Sequence, residues 1–153
     1  MNKPTFKWYP EEGLAICEIE DFDHIIYTGK AKCHSDDKDM MNEKTGCEIA
    51  LIKATMNYQR GQMRRTKHEL AALKQLYYSI NKSSRYSPGS YEAIMLRKQI
   101  QYKEDDIEAY KESLYELKTD LIRYVTAKDV FYKTIRNLRR EKELEKMHEE
   151  GLI

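Results

Sequence analysis

Two spacings of apolar residues divide the chain. Up to about residue 41 the apolar positions come in short runs. Gly13-Leu14-Ala15-Ile16-Cys17-Glu18-Ile19-Glu20 lies between Pro10 and an Asp21-Phe22-Asp23 turn, and His24 to Cys33 follows, rich in β-branched and aromatic residues and ending in alternation. Runs of this length bounded by turn residues predict two strands joined as a β-hairpin. A hairpin alone is marginally stable in water, so it must lie against another element. The polar stretch Ser35-Asp36-Asp37-Lys38-Asp39 closes it.

From Asn42 the spacing becomes seven. With a at Ile49, the a positions are Ile49, Met56, Met63, Leu70 and Tyr77, and the d positions Ile52, Gln59, Thr66, Leu73 and Ile80. Eight of these ten are apolar or aromatic, which predicts a helix over 42–82. Residues 83–90, with four serines and Pro88-Gly89, read as a loop in which Ser87 or Ser90 caps the next helix. The rule then restarts. The a positions are Ala93, Ile100, Ile107, Leu114, Leu121, Lys128 and Ile135, and the d positions Leu96, Lys103, Tyr110, Leu117, Tyr124, Phe131 and Leu138. Twelve of fourteen fit, so 91–149 is predicted as one helix without internal Gly or Pro.

A loop this short makes the helices antiparallel neighbours, and a 3.5-residue spacing sustained this long implies supercoiling. The predicted fold class is α+β: an N-terminal β-hairpin (1–41) followed by a long antiparallel two-helix coiled coil (42–82 and 91–149), one domain in all. Pairing outwards from the loop puts the start of helix one near residues 125–132 of helix two, and at 1.5 Å per residue about 15–20 residues of helix two run past it. Phe131, Ile135 and Leu138 need cover there, from the hairpin or from a second copy, so a homodimer is among the expected assemblies.

Composition narrows the class. Six Gly and three Pro in 153 residues are too few for a many-stranded sandwich. No apolar run approaches the roughly 20 residues that span a bilayer, and the first ten residues lack a signal-peptide core. These readings predict a cytoplasmic protein with no membrane partner. Three cysteines, an odd number, point to reduced thiols. Cys33, His34 and Cys47 match no common zinc spacing, and Cys17 and Cys33, both in strand-like stretches, read as core filler, so no metal is expected. Asp36-Asp37-x-Asp39 lacks the Gly and terminal Glu of a calcium loop, and Glu104-Asp105-Asp106-x-Glu108 diverges around a helix. There is no Gly-rich phosphate loop, nucleophile elbow or H-E-x-x-H. The reading is of a protein that is not an enzyme, with no catalytic residues and no cofactor.

Charge is balanced overall, 27 Lys+Arg against 26 Asp+Glu, which excludes a function set by bulk charge. It is nevertheless partitioned: residues 1–48 carry a net −5, 49–82 a net +6 and 83–153 zero. Lys53, Arg60, Lys67 and Lys74 recur at heptad position e, joined by Arg64 and Arg65. Such a row is a solvated face or an anion-binding surface for nucleic acid or nucleotide phosphates. The candidate partner-binding residues are therefore Lys53, Arg60, Arg64, Arg65, Lys67 and Lys74 on helix one, with Asp36 and Asp37 at the end of the acidic hairpin.

Gly29-Lys30-Ala31-Lys32-Cys33-His34-x-Asp36-Asp37, followed by Gly46-Cys47-Glu48-Ile49-Ala50-Leu51-x-Lys53-Ala54, resembles a pattern in small accessory proteins of phages and prophages of Gram-positive bacteria. The match covers about residues 25–56, and the long two-helix tail departs from the shorter members. The resemblance carries no functional residue across. It implies action in the cytoplasm of a bacterial host cell, as in relatives that bind an immune protein or sequester a signalling nucleotide. The function expected is that of a phage-encoded, non-enzymatic inhibitor acting by stoichiometric binding to a host defence protein or enzyme. The alternatives are a nucleic-acid-binding accessory protein using the basic face of helix one, and a structural coiled-coil adaptor.

Overall fold

The computed structural model describes residues 3–33, 42–82 and 90–152. The elements are β1 (Thr5–Tyr9), β2 (Leu14–Glu20), β3 (Ile26–Lys32), α1 (Glu43–Lys82) and α2 (Tyr91–Glu149). This is the expected α+β architecture, with three strands where two were predicted. The sheet is antiparallel in the order β1-β2-β3. β1 is five residues long, and its one partly buried residue is Trp8, so no alternation announces it. Its register sets Phe6 opposite Cys17 and Trp8 opposite Ala15. The turn between β1 and β2 closes through Gly13 at a φ of 58°, a conformation glycine adopts without steric cost.

The chain forms two compact units, Met1–Ala54 with Thr119–Ile153, and Thr55–Lys118. In the first, one sheet face is buried through Ala15, Cys17 and Ile19 of β2 and Gly29 and Ala31 of β3. Small residues recur every fourth position at the start of α1, at Gly46, Ala50 and Ala54, all buried. They let the two backbones approach closely: a Cβ on Gly29 would overlap the Ala50 carbonyl oxygen and the Ala54 amide nitrogen. Lys53 adds a side-chain link, its Nζ donating to the Lys30 carbonyl at 3.0 Å. The opposite sheet face is solvated and carries the Lys7–Glu18 ion pair. Cys17 is fully buried, and burial followed by the neighbouring Cys47 pushes its thiol up to about 11.

In the second unit the heptad pattern holds. On α1 the buried or half-buried line is Met56, Gln59, Met63, Thr66, Leu70, Leu73 and Tyr77, and on α2 it is Ala93, Leu96, Ile100, Lys103, Ile107, Tyr110 and Leu114. Ser90 caps α2, its Oγ accepting the Ala93 N–H at 3.3 Å. Lys103 lies at a d position and donates to Glu69 at 2.6 Å. Lys74 faces Glu104, which stands at position e of α2 among Arg97, Lys111 and Lys118, at 3.3 Å. In the first unit Glu48 of α1 meets the Tyr124 hydroxyl of α2.

From Thr119 onward the inward line of α2 departs from the prediction. The least exposed residues become Leu121, Val125, Lys128, Tyr132 and Ile135, positions a and e rather than a and d. Tyr132 is 4% exposed while Phe131 is 53% exposed. A straight α-helix repeats its direction after ten turns of 3.6 residues, about 36 residues, so the equivalent of Leu96 is Tyr132. A strict heptad count drifts from this by about 20° per repeat, and five repeats accumulate one residue. Arg139 to Glu150 are exposed on every side. The helix ends in a Schellman turn, with Gly151 at a φ of 72° and the Leu152 N–H donating to the Met147 carbonyl at 2.8 Å.

Candidate protein-binding surfaces

The turn between β2 and β3 is specified residue by residue. Asp21, 2% exposed, uses Oδ1 to accept the backbone N–H groups of Asp23 at 2.8 Å and Ile25 at 2.9 Å. Its Oδ2 accepts the Tyr27 hydroxyl at 3.3 Å. The backbone closes as well, from Asp21 N to the Ile25 carbonyl and from His24 N to the Asp21 carbonyl. His24 is held at a φ of 62°, a left-handed conformation uncommon outside glycine. Its Nδ1 lies 2.7 Å from Glu20 Oε1, and that hydrogen bond, then the Glu20 charge, raises the imidazole above its ordinary 6.5.

This rigid frame displays apolar side chains. Phe22 is 81% exposed at the tip, with Ile25 and Ile26 also exposed beside it and Glu20 and Asp23 flanking. The turn's own hydrogen bonds need only the Asp21 carboxylate and the backbone, so the fold does not call for a large aromatic at this position. Sequence reading placed Phe22 in a turn and went no further; an aromatic between two aspartates in a turn was the available signal.

The predicted cations are dispersed in their roles. Lys53 is engaged with β3 and Lys74 with Glu104. Arg60 Nη1 donates to Asn57 Oδ1 at 3.3 Å, and Arg65 has interactions of its own. Arg60, Arg64 and Lys67 are exposed and, spaced four and three residues apart, share one face of α1. Further along that helix Lys82 Nζ sits 4.5 Å from the Tyr78 ring centroid. Asp36 and Asp37 lie outside the described residues, as do His34 and the predicted Ser87 cap.

The first unit also holds a cleft of about 440 Å³ lined by Asn42, Thr45, Tyr124, Ala127, Lys128, Phe131 and Tyr132. The Tyr124 hydroxyl is hydrogen-bonded to Glu48, whose charge and hydrogen bond raise the phenol above its usual value. Among the described residues Lys128 is the one charged residue lining the cleft, and Ala127, Phe131 and Tyr132 give it apolar walls. Among the described residues no three potential metal ligands come together. No family model matches the chain, and neither a curated protein nor a solved structure matches it.

Proposed function

We propose that the protein acts by stoichiometric binding to another protein, with the β2–β3 turn as its contact point. One observation carries the reading: Phe22 stands almost fully exposed on a turn that a buried carboxylate holds rigid. A large aromatic presented without conformational freedom suits an anchor, because little side-chain or loop entropy remains to be lost on docking. The acidic flank of Glu20 and Asp23 favours a recipient pocket rimmed by Lys or Arg. The resemblance of residues 25–56 to phage and prophage accessory proteins makes a bacterial host defence protein or enzyme the expected partner class, and inhibition by occupancy the expected effect.

The test is affinity capture from a bacterial host lysate with nuclease present, comparing wild type with Phe22→Ala and with the double variant Arg60→Glu, Arg64→Glu. A specific host protein should be retained by wild type and by the double variant and lost with Phe22→Ala, an anchor of this kind being worth about 2 kcal/mol or more. Retention by Phe22→Ala overturns the reading.

The shared exposed face of Arg60, Arg64 and Lys67 favours one second reading, a sequence-independent nucleic-acid contact. In that case affinity for duplex DNA falls steeply between low and physiological salt, and the same double variant abolishes it.

A further inference from the structure

Tyr124, Phe131 and Leu138, the heptad row that α2 turns away from its buried line, form an apolar stripe on the first unit. All three are exposed, Leu138 at 49%. The stripe extends about 21 Å along the helix at 1.5 Å per residue. Ala127, Val130 and Thr134 border it on the side away from the buried line and carry no charge. Tyr124 and Phe131 also wall the cleft described above, so a recess opens beside the stripe.

Charge stands at both ends, in opposite order when read outward from Phe131. Asp120 and Arg123, themselves 3.9 Å apart, precede Tyr124, while Glu141 and Lys142 follow Leu138. All four are exposed. We infer that a second copy of this chain covers the stripe, α2 against α2 in antiparallel sense about a two-fold axis at Phe131.

In that arrangement Phe131 meets Phe131 of the second copy, and Tyr124 meets its Leu138. Asp120 then faces Lys142, and Arg123 faces Glu141 within a turn, each pair occurring twice by symmetry. Parallel pairing would instead set Asp120 against Asp120 and Lys142 against Lys142. Charge therefore selects the antiparallel contact, as flanking charges do in coiled coils. Tyr124 spends its hydroxyl on Glu48, but the row stays apolar and exposed at seven-residue spacing, the spacing that a helix laid along it uses. A contact centred on three apolar side chains from each copy is expected to associate in the micromolar range or weaker. The contact is separate from the β2–β3 turn and stands or falls independently of it.

Sedimentation equilibrium of the full chain, from about 5 to 500 µM to bracket such an interface, tests the inference. The average mass should rise with concentration from 18.3 kDa towards twice that value. Phe131→Glu should weaken association at least tenfold, as a charge placed at the dyad of an apolar contact does. Asp120→Lys alone should weaken it, and Asp120→Lys combined with Lys142→Asp should restore it. Because Asp120 and Lys142 are exposed, these variants keep their fold even if Phe131→Glu does not. A constant mass of 18.3 kDa across the range, or association that the Asp120→Lys change leaves untouched, overturns the inference. Failure of the double variant to restore association overturns it equally.

Discussion

Single residues set distinct contacts of the first unit. Gly29 is one, since any Cβ there meets backbone atoms of α1 rather than a side chain that can swing away. Gly29→Ala is expected to lose about 2–3 kcal/mol, the upper part of the overpacking range, in urea unfolding. His24 is the second instructive case. Its pKa is raised in the folded protein, so the Glu20 pair contributes fully below the unfolded value near 6.5 and is lost as pH rises through the higher folded value. An NMR titration of the His24 ring should therefore show a midpoint above 6.5, returning towards it in Glu20→Gln. Gln59 gives a change of opposite sign. Its Oε1 is buried at a d position with no hydrogen-bond partner among the described residues. Gln59→Leu should raise stability by about 1 kcal/mol by removing that desolvated acceptor. Phe22 and Gln59 were both visible in the sequence, yet nothing in it said which lacked a partner and which lacked a cover.

At the scale of elements, periodicity carried the reading a long way. Both helices begin and end within a residue of where the heptads and the loop composition placed them. The a and d sets of α1, and those of α2 as far as Leu117, are the lines that turn inward. Beyond that point counting by sevens chose Phe131 and the folded helix chose Tyr132. Tyr132→Ala should cost about 3 kcal/mol, the scale of emptying a buried aromatic site, while Phe131→Ala should cost less than about 1 kcal/mol in a dilute monomer. Equal effects would show that the inward line had not moved. β1 escaped detection for a different reason: an edge strand with four of its five residues exposed has no alternation to read.

For the whole molecule, a near-zero net charge hides a partition into acidic and basic stretches, and the structure absorbs part of the basic one internally through Lys53 and Lys74. The chain also divides into two compact units, one holding the sheet and one made of helices alone. Trp8, the one tryptophan, lies in β1 and reports on the first unit, while circular dichroism at 222 nm reports on the helices of both. In Gly29→Ala the Trp8 fluorescence transition in urea should precede the dichroism transition. Coincident curves would mean that the whole chain unfolds as one cooperative body.

What the amino-acid order determined by itself was local and periodic: two long helices, the position of the break between them, strands before them, and Cys17 and Cys33 as small residues suited to fill space. These follow from residue spacing and chain geometry, which act over a few turns or a few residues. Tertiary structure alone decided which side chains were spent inside the fold and which were left on display. Accumulated helical drift turned Tyr124, Phe131 and Leu138 outward, the close seat of Gly29 on α1 fixed the sheet, and the buried Asp21 carboxylate presented Phe22. Each of these outcomes depends on distances summed along many residues or on groups remote in the chain, and neither quantity is written in any short stretch of sequence.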